Sequence, residues 1–410
     1  MSRKALSGFK NSSYFIFPLK IDSQDKLADY LSKNSKWEKI SSGFDTNYLM
    51  FYANNMKNDG RFQRYIYAGQ EKPNIYMLDS EANSPDKSPE PGDISLYVFG
   101  QKIIFLEFQV LYKDMEPEEI SDFVSTFRSL RNHKNVPEEL GCKGLIDVIE
   151  EILPARESGT ILCFSNPSEV KMQANIFTML SIPGYDEQES RSLCCRIAHG
   201  YKTITPSEGD ASSDYDKCLQ LNANEYWGIC PDGLAYINNI VKAKNFFITY
   251  NNLCNDYHFI YLLLLHQRFS AISFIEEISR IGKSDKEREK ITKIYPDIVD
   301  LQTHYSFRVI SDDFFFQTVY NTTYQVLEIE ALLKDLEDAN GQFNELSKTR
   351  EDQIGHFVMM VSLLAAVSAV ADLASVLGNE TLSWSHIVSA CIIIIFVVVM
   401  FLLNFKPWKR

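Results

Sequence analysis

Two apolar runs set close together constrain this chain more than any other feature of its sequence. As helices, Phe357 to Leu377 (FVMMVSLLAAVSAVADLASVL) would span about 31 Å and Ile387 to Phe405 (IVSACIIIIFVVVMFLLNF) about 28 Å. Both lengths are close to the hydrocarbon thickness of a bilayer, so the pattern predicts two transmembrane helices joined by Gly378 to His386 (GNETLSWSH). That loop carries no Lys or Arg, whereas Lys348 and Arg350 precede the first run and Lys406, Lys409 and Arg410 follow the second. Basic residues collect on the cytoplasmic side, so both termini of this multi-pass chain are expected in the cytoplasm. The start, MSRKALSGFKNSS, lacks the apolar centre of a signal peptide, so the remainder is expected to stay inside, anchored by the hairpin alone.

The region before the runs has the balance of a soluble protein. With 410 residues, 45% hydrophobic and 23% charged, the chain can bury a substantial core. A net charge of -13 argues against direct nucleic-acid binding, since neutralising phosphates needs a basic face. None of the eight cysteines falls in a C-x-x-C pair, and the adjacent Cys194 and Cys195 are poorly placed to bridge each other. Reduced, partly buried thiols are expected in this compartment.

Strand patterns dominate from Tyr14 to Tyr112: YFIF at 14 to 17, NYLMFY at 47 to 52, RYIY at 64 to 67, then ISLYVF and KIIFLEFQVLY on either side of a Gly100-Gln101 hairpin turn. Asp79 to Asp93 reads as a loop. Ile120, Phe123, Val124, Phe127 and Leu130 recur at helical spacing, as do Leu145, Val148, Ile149 and Ile152, which predicts helices packed on a sheet. Thr160 to Phe164 reads as a buried strand leading into a helix start at Asn166-Pro167-Ser168-Glu169. Phe259 to Leu265 (FIYLLLL) is too short to cross a bilayer and reads as a buried helix.

From Asp312 to Leu377 there is no proline and there are only two glycines, which predicts one unbroken helix on the order of 100 Å long. Ile329, Leu332, Leu336, Ala339, Phe343 and Leu346 alternate steps of three and four along it, and the register continues through Arg350, Gln353 and Phe357. Such a seam needs a partner, either a second copy of the chain or another of its own helices, such as 246 to 281.

No phosphate-binding loop, dinucleotide turn, zinc-protease helix or nucleophile elbow occurs, so no enzymatic activity is expected. His199, His258 and His266 read as core or surface residues and no metal ligands are assigned. The first apolar run is different. Ser368, Asp372, Ser375 and Asn379 fall on one stripe, extended by Ala365 and followed by Glu380. A carboxylate facing lipid costs on the order of 3 kcal/mol, so Asp372 is expected to face protein or water. In a symmetric oligomer the stripe would line a cation-favouring pore, with Ala365, Ser368, Asp372, Ser375, Asn379 and Glu380 as its lining. The same side chains also suit hydrogen bonds that hold two spans together.

The order of parts, the stretches FFFQTVYNTTYQVLEIEALL and YLLLLHQRFS, and the basic tail KPWKR resemble the CorA superfamily of pentameric divalent-cation transporters and channels. The resemblance implies a homopentamer with a cytoplasmic α/β domain over 1-245 and a helical region with a long stalk helix over 246-356. It further implies a pore-lining span over 357-377, an external loop over 378-386, a second span over 387-405 and a basic cytoplasmic tail over 406-410. The transporters end their first span with Gly-Met-Asn, where this chain reads Leu377-Gly378-Asn379-Glu380.

That loss is similar to the CorA-like membrane effectors of type III CRISPR systems, which implies a nucleotide messenger, an adduct of S-adenosylmethionine with AMP, as ligand. Candidates to bind it are Arg61, Arg64 and Tyr65, for phosphate and base stacking, and the Asn166 helix start; read without a ligand, these are sheet-surface residues and a cap. A divalent metal transporter (Mg, Co, Ni or Zn) and a non-conducting membrane scaffold are the alternative functions.

Overall fold

The computed structural model describes residues 9–40, 44, 48–49, 56, 59–69, 89–128, 145–162, 174–200, 218–239, 246–280, 294–339 and 341. Its centre is a mixed sheet built on β1 (Ser12–Ile21), a ten-residue strand buried at every position but Lys20. One edge of β1 pairs antiparallel with β5 (Ile103–Leu111) along almost its whole length. The other edge is shared: β7 (Asn175–Ser181) takes Ser12 to Ile16 and β6 (Thr160–Leu162) takes Leu19 to Ile21. Pro18, which has no N–H to donate, stands in the gap between those two partners, which is how a central strand tolerates it.

Outward from β5 lie β4 (Glu90–Phe99), β3 (Phe62–Tyr67) and β2 (Trp37–Ile40), all antiparallel. On the other side, β10 (Gly233–Asn238) runs parallel to β7 and is followed by β9 (Glu225–Cys230) and the edge strand β8 (Cys218–Asn222). The Gly100-Gln101 hairpin and the strands predicted around residues 14, 64, 94, 102 and 160 are therefore present. Tyr48 and Leu49, predicted as strand, lie instead in a bend.

Alternation along β1 divides the interior into two cores. Phe15, Phe17, Leu19 and Ile21 face one side, while Tyr14 and Ile16 face the other. On the first side pack α1 (Gln24–Lys33), α2 (Pro117–Arg128), α3 (Leu145–Ile152) and α5 (Glu187–His199); a single turn, α4 (Ala155–Ser158), precedes β6. The α5 helix has defined ends. Asp186 and Glu189 form a reciprocal capping box, and Gly200 closes the helix in the left-handed region at φ 64°. Its close seat on the sheet depends on Gly228 of β9, where a Cβ would stand 2.5 Å from the Cys194 carbonyl oxygen.

The second side is covered mainly by residues that follow position 245, joined by Phe9, Phe44, Leu49 and Met56 from earlier in the chain. Here α6 (Phe246–Asn252) passes through a π turn at Leu253–Tyr257 into α7 (His258–Arg280). Residues 256 to 267 are buried on every face of the helix, as expected of an element with a sheet on one side and helices on the other. Among the described residues, Thr249–Ser279 is the one helix long and apolar enough to cross a membrane, yet 78% of its most apolar stretch is buried inside the protein. It serves as a core helix, its cover completed by helical residues 294–300, a second π turn at Leu301–Tyr305 and α8 (Phe314–Val326). Sheet and helices cluster as one compact unit through Leu336.

The expected unbroken stalk is interrupted. The α8 helix ends at Leu327, Glu328 takes a positive φ of 54°, and helix resumes at residue 329. Ile329 and Leu336, the first seam positions, are fully buried in this chain's own second core, with Leu332 packed against it, so this part of the seam is satisfied internally. Residues 342–410 lie outside the described residues, and with them both predicted spans.

Candidate functional site

A buried polar cluster lies where the first π turn meets the sheet. Glu107 is the one acid within KIIFLEFQVLY, and its strand turns it toward the second core, where it is 1% exposed. A carboxylate in such a position needs partners. His258, the first residue of α7 and also 1% exposed, brings Nε2 to 2.6 Å from Oε2, and the Tyr97 hydroxyl donates to Oε1 at 2.9 Å. The Tyr14 ring lies against the His258 ring at 4.5 Å, tilted by 40°, and its hydroxyl donates to Cys254 Sγ at 3.8 Å and accepts from Gln109 Nε2 at 3.1 Å. Burial, reinforced by Cys254 and Glu107, pushes the Tyr14 phenol well above its ordinary range. Burial and the Glu107 charge do the same to Tyr97.

The cluster joins four elements: β1, β4, β5 and the turn of helix that carries Cys254 and His258. A π turn carries one more residue per turn than an α-helix and so resets which side chains face the sheet. Here it delivers His258 onto Glu107. With both partners closed to water, the chemistry available is that of a lock fixing the register of α7 against the sheet. The signal in the sequence was the lone acid in an otherwise apolar strand.

Two other polar ties flank it. Lys20 and Lys102 both bind the Glu277 carboxylate, Lys102 at 3.2 Å; burial raises the pKa of that group, but the two ammonium groups outweigh it and the net shift is downward. Near the Gly100 turn, the Tyr305 hydroxyl accepts from Gly100 N at 3.0 Å and donates to the Arg61 carbonyl at 3.3 Å. Gln101 Nε2 reaches the Asp297 carbonyl at 2.9 Å.

The residues predicted to bind a messenger do not converge. Arg61 is half-buried and engaged by Asp59 at 3.4 Å and Asp300 at 3.8 Å. Arg64 points to the second core, over the rings of Phe44 and Tyr97 at 5.3 and 5.5 Å, with Nη2 3.4 Å from Ser95 Oγ. Tyr97 and then Glu107 keep its guanidinium firmly charged against the opposing effect of burial. Tyr65, the next residue along the strand, packs in the first core and donates to Gln63. Adjacent strand residues face opposite sides, so a ligand on Arg64 cannot stack on Tyr65. Asn166 and the predicted pore residues Ala365, Ser368, Asp372, Ser375, Asn379 and Glu380 lie outside the described residues.

No family model, curated protein or solved structure matches this chain.

Proposed function

We propose that the chain is a ligand-gated membrane effector of CorA-like plan, a cation channel opened by a nucleotide messenger of the S-adenosylmethionine-AMP type in type III CRISPR antiviral defence. The observation that carries the reading is the stripe of Ser368, Asp372, Ser375 and Asn379 within an apolar run long enough to span a bilayer. An acid at that depth is costly unless it faces water or protein, and a ring of such acids in a homo-oligomer, five by the resemblance, attracts cations. Ile392 to Val399, without a polar side chain, suits the lipid-facing helix of the pair.

The α/β unit before the runs supplies the body on which a small ligand acts. Gating then follows from differential affinity: moving a channel from about 1% to about 99% open requires the messenger to bind the open state about 10⁴-fold more tightly. Ties between the sheet and α7, such as Glu107 with His258, supply a stiff path for that difference.

Ion flux through the purified full-length protein in liposomes tests the proposal. Flux that appears only with the messenger and changes in Asp372→Ala supports it. Steady magnesium uptake indifferent to the messenger makes the chain a divalent metal transporter, and membrane association without flux, untouched by Asp372→Ala, makes it a scaffold.

A further inference from the structure

Three side chains that share no sequence motif meet at the sheet's first face. His199 is the last residue of α5, Cys230 is the last residue of β9, and Asp232 lies in the tight turn into β10. Their ligating atoms all lie within 4.8 Å of one another, with Cys230 buried and the other two partly so. We propose that His199, Cys230 and Asp232 form a binding site for a zinc-class divalent cation.

The donor set selects the ion. One thiolate, one imidazole and one carboxylate are the mixture that zinc and its neighbours accept, whereas magnesium and calcium demand oxygen ligands throughout. Ligand atoms around a tetrahedral zinc stand about 3.5 Å apart, so the three groups close on a common centre with movements of about 1 Å. Three protein ligands leave a fourth position for water or another donor. On loading, the Cys230 thiol, which donates to the Ala198 carbonyl at 2.9 Å, gives up its proton to solvent and forms the sulfur–metal bond.

The surroundings fit a built site. Arg128 of α2, 7% exposed, holds Asp232 through Nη2 at 2.6 Å from Oδ1 and also donates to the His199 carbonyl. A carboxylate has two oxygens and about four lone-pair sites, so a hydrogen bond from Arg128 orients it and leaves capacity for a metal. The approach of the turn to the end of α5 depends on Gly233, where a Cβ would stand 2.5 Å from the Ala198 oxygen. A second glycine, Gly200, ends the helix beside Arg128, where a Cβ would stand 2.7 Å from Cδ. Gly233 thus holds two backbone segments closer than any other residue would allow, which sets Cys230 and Asp232 beside the end of α5 and His199, while Gly200 supplies the left-handed helix end at φ 64°.

The test is cobalt titration of the metal-stripped full-length protein in detergent, read by absorption. The expected result is one Co²⁺ per chain with a thiolate-to-cobalt charge-transfer band, displaced by zinc and not by excess magnesium. Cys230→Ser removes the band, and Asp232→Asn, which gives up the ion pair with buried Arg128 but keeps an amide oxygen for it, weakens binding about tenfold or more. Circular dichroism of both variants shows that the fold is kept. A wild-type protein without the band, a band that survives Cys230→Ser through one of the other cysteines, or an affinity unchanged in Asp232→Asn overturns the proposal. None of these readouts depends on ion flux, so the result stands apart from the channel reading.

Discussion

His266 is placed where its charged form cannot be accommodated. It is 0% exposed on α7, stacked on Phe99 at 4.2 Å and against Tyr305 at 4.7 Å, with Ser270 Oγ 3.3 Å from Nε2. Burial lowers its pKa to about 3. The unfolded chain holds an ordinary histidine that binds a proton near pH 6.5, so between that value and about 3 the unfolded state carries more protons than the folded one. Stability from a neutral His266 is therefore complete above pH 6.5 and is lost as the pH falls, by about 1.4 kcal/mol per pH unit from this group. Chemical denaturation at pH 6, 5 and 4 should show that slope, and His266→Phe should flatten it by about that amount whatever it does to stability at pH 7. An identical slope in the two proteins would show that protonation of His266 is not linked to unfolding. Glu107 differs in kind, since His258 Nε2 stands 2.6 Å from one carboxylate oxygen and the Tyr97 hydroxyl donates to the other, so its burial is compensated locally.

Among the elements, the π turns and the break at Glu328 do most to set the architecture, and the sequence announces neither. Strands β1, β3, β4 and β5 were legible because β-branched and aromatic residues alternate or run together between turn residues. Helices α2 and α3 were legible from their apolar spacing. The β9–β10 hairpin escapes the sequence reading, although Pro231-Asp232 separates two aromatic-bearing runs, EYWGIC and GLAYIN.

The break after α8 was illegible for a physical reason: VLEIEALL has good helix propensity throughout, and tertiary packing overrides it. Leu327 and Ile329 are both buried in the second core, and the kink at Glu328 lets both enter it. The cost is one non-glycine residue at φ 54°, about 1 kcal/mol or somewhat more. Glu328→Gly is therefore expected to raise the unfolding free energy by about 1 kcal/mol, where glycine at exposed Glu330, within the resumed helix, should lower it by a similar amount. Loss of stability in both variants would mean that the helix runs straight through residue 328. The candidate site was legible only in part. His258 and Glu107 were visible as polar residues in apolar runs, but their pairing depends on a π turn that no residue pattern encodes.

At the scale of the whole molecule, the sheet has two faces and each needs its cover. The second face presents Ile16, Phe99, Phe105, Phe177, Trp227 and Leu234, each at most 1% exposed, and the described helices over it come from residues 246 to 339. Burying a side chain of this size contributes about 2 kcal/mol, so these six together account for about 12 kcal/mol, comparable with the entire net stability of a typical domain. A fragment ending at residue 245 would keep every described strand and still lack the cover for half of its core. It is expected to be insoluble or to unfold without cooperativity, whereas a fragment ending at residue 341 should be soluble and unfold in one transition, with both cores lost together because β1 is common to them. Urea denaturation of the two fragments, followed by circular dichroism and by the fluorescence of Trp37 in the first core and Trp227 in the second, makes the comparison. Cooperative folding of the shorter fragment, or separate transitions at Trp37 and Trp227 in the longer one, would establish the helices after residue 245 as an independent body and remove the stiff path from sheet to α7 on which the gating proposal draws.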